Sequence, residues 1–181
     1  MEYECISPGH TCYVLMPMPV TLVVTLRPDG GYNIMTASWI MPVSRNPPLV
    51  AVAVAPRRFT YECLRRHPEF TICVLPPEMQ DIAWYCGTTS GKVENKVAKL
   101  EAEGKIRLVR LSRVETPGID GALALIGCKL WRDYEGGDHR IIVGEVVECL
   151  ARRGSFRDGW TKGTKILYYY GGSRFLCIEI P

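Results

Sequence analysis

A four-residue turn signal, Pro28-Asp29-Gly30-Gly31, separates two runs of strand-forming residues, Val20 to Leu26 and Tyr32 to Ile40. Proline presets one backbone angle, aspartate folds back onto its own main chain, and the glycines accept positive φ. A chain so punctuated doubles back on itself as an antiparallel hairpin. The domain therefore starts from neighbouring antiparallel strands, which need no helical crossover.

The later segments repeat this logic. Pro42 and the Pro47-Pro48 pair predict an extended connection, because proline lacks a donor and restricts the residue before it. "LVAVAVA", residues 49 to 55, has no polar alternation and reads as a strand covered on both faces. "RRFTYECLRRH" reads as a short helix with Thr60 as its N-cap, stopped by Pro68. "EFTICVLP" is a further strand. "PEMQDIAWYCG" predicts a helix ending at Gly87, and "TSGKVENKVAKLEAEG" a second, capped near Ser90 and closed by Gly104. The last third predicts two long strands around Glu135-Gly136-Gly137-Asp138 and two more around Gly171-Gly172. Several hairpins interrupted by two or three helices make a mainly β, β-rich α+β fold: an antiparallel barrel, not a doubly wound parallel sheet.

At 181 residues the chain fits one domain, expected to span 1–181. A net charge of +3 among 23% charged residues is too dispersed for a nucleic-acid binder. "MEYECISPGH" lacks the pattern of a secretory signal, and "LVAVAVA" is far shorter than the ~20 residues of a membrane helix. A cytoplasmic protein without membrane or nucleic-acid partners is expected. The eight cysteines form no CxxC and no zinc spacing. They are expected to be buried thiols and no metal site, with disulfides expected mainly if the source is a hyperthermophile.

No GxGxxG opens a helix and no GxxxxGK[ST] is present, so neither a Rossmann site nor a Walker loop is supported. GxSxG and HExxH are absent as well. What remains is cations beside helix starts. Arg57 and Arg58 flank Thr60, and Ser90 precedes Lys92 and Lys96; a helix N-terminus beside cations suits a phosphate, although each group alone reads as a solvated surface. Asn33, Thr36 and Ser38 place hydrogen-bonding groups on an apolar strand. By parity Thr36 and Ser38 share a face, and Asn33 and Trp39 point the other way. His139, after the turn, is the one candidate for near-neutral proton chemistry. A ring of Tyr168-Tyr169-Tyr170 is suited to cover a planar ligand.

In order, "NIMTASWIMPVSRNPPLVAVAV", "RRFT", "SGKVENK", "GGDHRIIVGEVV" and "LYYYGGSRF" resemble the flavin reductase-like family of FMN-binding split barrels, across roughly residues 14 to 177. The resemblance implies an antiparallel split barrel with FMN at a homodimer interface. It implies Thr36, Ala37, Ser38 and Trp39 beside the isoalloxazine, and Val54, Arg58 and Thr60 along the ribityl chain and phosphate. Ser90, Lys92 and Lys96 would serve the phosphate, Lys96 foremost. His139 and Tyr169 would lie near the ring. The implied activity is an oxidoreductase that takes hydride from NADH or NADPH onto FMN and passes electrons to free flavin, ferric iron or a protein. The alternative is a flavoredoxin-like electron-transfer protein without nicotinamide activity.

Overall fold

In the computed structural model, which describes residues 1–181, the hairpin forms around its turn. A one-turn α1 (Thr11–Val14) and the short β1 (Met18–Pro19) lead into β2 (Thr21–Leu26), which pairs antiparallel with β3 (Tyr32–Ala37). Gly30 and Gly31 take φ of 93° and 74° in the connecting turn, a region only glycine enters without strain.

The segment after β3 differs from the extended connection expected of its prolines. It forms β4 (Ile40–Arg45), which pairs with β5 (Pro48–Val54). Pro42 is tolerated because β4 is an edge strand, and the register shifts between Pro42 and Ser44; Pro48 is tolerated as the first residue of β5. Next come α2 (Phe59–Arg66), β6 (Glu69–Val74), α3 (Gln80–Thr88), α4 (Lys96–Ala102) and the small β7 (Leu108–Val109) and β8 (Gly118–Ile119) pair. Two long strands, β9 (Ala124–Gly136) and β10 (His139–Ala151), and the hairpin β11 (Lys165–Gly171) and β12 (Arg174–Glu179) complete the chain.

The main sheet has seven strands in the order β3-β2-β6-β9-β10-β5-β4, every pairing antiparallel. Its two end strands, β3 and β4, are consecutive in the chain and linked by Ser38 and Trp39. The Ala53 N–H donates to the Trp39 carbonyl at 3.0 Å, drawing that link over β5. A second sheet, β1-β11-β12, abuts the first where the Val20 N–H donates to Leu167 and the Leu167 N–H to Leu75, both at 2.9 Å. The fold is thus the antiparallel split barrel expected.

Strand β2 is buried on both faces, and its alternate residues feed two cores. Val23 joins Met35, Val52, Phe70 and Ile142 in one, while Leu22 and Val24 join Ile34, Leu75, Ala83 and Leu100 in the other, under α3 and α4. Gly144 permits the first to close, since a Cβ there would stand 2.5 Å from Phe70. No helix is long and apolar enough to cross a membrane, and no group of His, Cys, Asp and Glu could hold a metal.

Three local expectations need correction. Thr60 is not the cap of α2: Arg58 occupies that position and Thr60 lies buried in the first turn. Helix α4 begins six residues after Ser90, because Asn95 accepts from the Ala98 N–H at 3.2 Å and caps it, while the Ser90 hydroxyl accepts from the Lys92 N–H within its own turn. Only four of the eight cysteines, Cys63, Cys73, Cys86 and Cys128, are buried, and all eight are free thiols.

Candidate functional site

The polar residues of β3 reach three adjoining cavities of about 270, 160 and 370 Å³. Arg58 lines all three, Met35 joins the first to the second, and Thr36 and Ser38 join the second to the third. They form one trough between the barrel end, the start of α2 and the side of α3.

The first chamber is cationic. Arg57, Arg58 and Lys96 line it together with Asn33, Phe59, Thr60, Ser90 and Gly91, and no carboxylate is among its lining residues. The opening turn of α2 adds N–H groups that have no intrahelical acceptor. Lys96 is 4% exposed. It donates to the carbonyls of Cys86 at 2.8 Å and Thr89 at 2.7 Å, which ties the end of α3 to the chamber floor. Burial pushes its ammonium pKa below the ordinary value, with Arg58 adding to the effect. The neighbouring Cys86 thiol is pushed up to about 11 by burial and stays protonated.

Thr60 is held from the strand side. The Asn33 amide donates to Thr60 Oγ1 at 3.0 Å and to Thr25 Oγ1 at 3.2 Å. Thr60 Oγ1 is an acceptor in that contact and donates to no group of the chain, so its proton is available to the chamber. Gly91 allows the Ser90 turn to approach, since a Cβ there would lie 2.2 Å from Asn33 Oδ1 and 2.8 Å from Phe59. Arg27 braces both walls: its guanidinium sits 4.9 Å from the Phe59 ring centre and donates to the Gly91 carbonyl at 3.1 Å. Asp29 holds that guanidinium through two 2.8 Å bonds, which keep the Asp29 carboxyl below its usual range.

The second chamber is lined by Thr36, Ala37, Ser38, Trp39, Val54 and His139. The Trp39 and His139 rings lie 4.9 Å apart at 40°, and His139 Nδ1 lies 2.7 Å from Asp138 Oδ1. The third is walled by Trp84, Tyr169 and Phe175 opposite Thr36 and Ser38. Phe175 meets Trp84 edge-on at 6.2 Å and Tyr169 at 5.6 Å. The Thr36 hydroxyl donates to the Ala83 carbonyl, which fixes β3 against α3.

Eleven of the twelve site residues read from the sequence, Thr36, Ala37, Ser38, Trp39, Val54, Arg58, Thr60, Ser90, Lys96, His139 and Tyr169, therefore line this trough. Lys92 does not: outside the helix it was expected to share with Lys96, it pairs with Glu62 at 3.2 Å on the surface. Sequence reasoning set Asn33 aside on parity and passed over Arg27. Parity holds, but α2 covers the face of β3 opposite α3, so both faces of the strand border the trough. The sequence signal for Arg27 was its place before the turn, two residues from Asp29.

The family model described as flavin reductase like domain matches residues 13–175. An uncharacterised protein of Pyrococcus abyssi is 36% identical over 146 residues, covering 81% of each chain. The reductase component of a 4-hydroxyphenylacetate 3-monooxygenase from Thermus thermophilus is 35% identical over 154 residues, covering 85% of this chain and 86% of its own. An FMN-binding protein from Thermus thermophilus, solved with bound 1-cyclohex-2-enone, superposes with a TM-score of 0.83 at 26% identity, over 98% of this chain and 95% of its own. Fold, motif order and these likenesses together place the chain in the flavin reductase-like family.

Proposed function

We propose that this chain is a flavoprotein oxidoreductase, one domain over residues 1–181, that binds FMN along the trough and works as a homodimer. Bound there, the flavin would supply the redox chemistry, accepting hydride from NADH or NADPH and returning electrons to free flavin, ferric iron or a protein. The observation that carries this reading is Arg58, which lines a carboxylate-free cationic chamber and both ring-lined chambers at once. A ligand with a dianionic end and a flat, polar-edged end fits that donor set, and the unused Thr60 proton fits an acceptor oxygen. Together the three cavities reach about 800 Å³, within the range of about 300 to 1,000 Å³ that small-molecule sites take.

Each residue has a role in this reading. Arg57, Arg58, Thr60, Ser90 and Lys96 hold phosphate, and Asn33 and Arg27 keep their walls in place. Main-chain and hydroxyl groups of Thr36 to Ser38 meet the ring edge, with Val54 beside them. Trp39 and His139 bound the ring's open side, where His139 orients the nicotinamide. Trp84, Tyr169 and Phe175 shape the bay that receives the second reactant.

The experiment is an absorbance spectrum of purified protein mixed with FMN, followed by stopped-flow addition of NADH or NADPH. A bound flavin band bleached within the catalytic time range, about 1 to 10³ per second, is expected. Protein that fails to bind FMN overturns the reading. A band that binds but does not bleach supports the alternative, an electron carrier without nicotinamide activity.

A further inference from the structure

The connection between β10 and β11, residues 152–164, lines none of the chambers described, yet it is neither bland nor loosely built. Together with Lys165 it carries Arg152, Arg153, Arg157 and Lys162 against one acid, Asp158. This stretch is thus net +4 in a chain of net +3, so the rest of the molecule is net −1. The connection forms one basic knob of the surface.

The knob has a fixed shape. Phe156 and Trp160 face each other across a bridge, their rings edge-on with centres 5.3 Å apart. The Thr161 hydroxyl donates to the Gly154 carbonyl at 2.7 Å, the Thr161 N–H to Ser155 at 3.0 Å, and the Gly163 N–H to Ile180 at 2.8 Å. Arg152 donates to the Gly121 carbonyl and Lys165 pairs with Glu179. Arg153, Arg157 and Lys162 are exposed, and each lacks a salt bridge or side-chain hydrogen bond within the chain. Phe156 is 47% exposed beside them, while Trp160 is half-buried beneath it.

We infer that this knob is a docking surface for a protein with an acidic face. Arginine and aromatic side chains are the groups that anchor protein interfaces, and two of the three uncommitted cations are arginines able to grip carboxylates through two bonds. A shape fixed beforehand lowers the ordering cost of binding, and a small, strongly charged patch suits a fast, transient, charge-steered complex. A nucleic acid or a bilayer fits less well. The single exposed ring offers no row of faces for base stacking and little apolar area to insert among lipids.

The test uses the full-length protein and a fluorescent peptide of repeating Glu-Glu-Leu, with a dT oligonucleotide of equal charge and phosphatidylserine vesicles as comparators. Wild type is expected to bind the peptide at low salt and to lose about tenfold in affinity on going to physiological ionic strength. The triple variant Arg153→Glu, Arg157→Glu, Lys162→Glu is expected to lose binding, and Phe156→Ala to weaken it several-fold. Both should retain wild-type circular dichroism and FMN affinity. No binding to the peptide, equal binding by the triple variant, or tighter binding to the oligonucleotide or the vesicles would each overturn the assignment. FMN titration of the same samples reports on the trough separately, so failure of one reading is distinguishable from failure of the other.

Discussion

Asn33 in β3 donates its amide to the hydroxyl of Thr60 in α2 at 3.0 Å, across the seam between strand and helix. Because the hydroxyl oxygen is used as an acceptor there, the Thr60 proton is left to point into the cationic chamber. Replacing Thr60 by valine keeps the shape and removes that donor. Hydrogen bonds to charged groups contribute about 1.5 to 3 kcal/mol, so Thr60→Val is expected to weaken FMN binding roughly 10- to 150-fold in a fluorescence titration. Asn33→Ala, which loosens the hydroxyl without removing it, should cost less affinity.

Lys96 links binding and stability with opposite pH signs. Burial lowers its folded pKa below 10.5. Its positive charge, and the attraction for phosphate, is complete below that folded pKa and is lost as pH rises through it. Between the folded and unfolded pKa the unfolded chain holds more protons, so stability of the flavin-free protein rises with pH over the same window. FMN affinity should therefore fall in alkali while the melting temperature, corrected for other groups, is helped. Lys96→Met should bind FMN weakly and lose this pH dependence.

Much of the fold could be read before the structure because local chemistry and tertiary context agree. Pro28 to Gly31 can only turn, and residues 49 to 55 have nowhere to sit but between other strands. The failures fall where two local signals compete. Ser90 and Asn95 are both plausible caps, and the amide won because the serine hydroxyl was occupied by its own turn. Losing that helical turn moved Lys92 out of the site. Asn33 shows a different limit: period-2 reasoning places a side chain on a face but says nothing of which helix covers that face.

His139 and Trp39 line the middle chamber, next to the cationic one but not among its lining residues. His139→Ala should leave FMN affinity within about threefold of wild type and slow flavin reduction by NADH by about 100-fold or more, since a positioned proton-transfer group contributes about 10² to 10⁴-fold. Single-turnover absorbance decay separates the two effects. Loss of FMN affinity at His139 exceeding that of Thr60→Val or Lys96→Ala would show that the roles of the two chambers are reversed.

The cysteines divide by reactivity. Burial drives Cys73 and Cys128 up to about 12, so neither is a thiolate at neutral pH. Brief treatment of native protein with iodoacetamide should label Cys5, Cys149 and Cys177, which are exposed. Cys63, Cys73, Cys86 and Cys128 should label only after unfolding, as read by mass spectrometry.

Gly91 gives the sharpest geometric test of the site. Its positive-φ relatives elsewhere in the chain are glycines for backbone reasons, whereas Gly91 is a glycine for space. A methyl group there would overlap the Asn33 side-chain oxygen and crowd Phe59, both held in turn by Thr60 and Arg27. The strand cannot yield, since Asn33 is pinned to Thr25 of β2 and to Thr60 of α2, so the Ser90 turn must move outward and take one wall of the chamber with it. Gly91→Ala should therefore lower stability by about 1 to 3 kcal/mol, as overpacking does, and reduce FMN affinity by more than tenfold, about 1.4 kcal/mol. The control is Gly121→Ala, which strains the turn between β8 and β9 but meets no atom, and should lower the melting temperature while leaving FMN affinity unchanged.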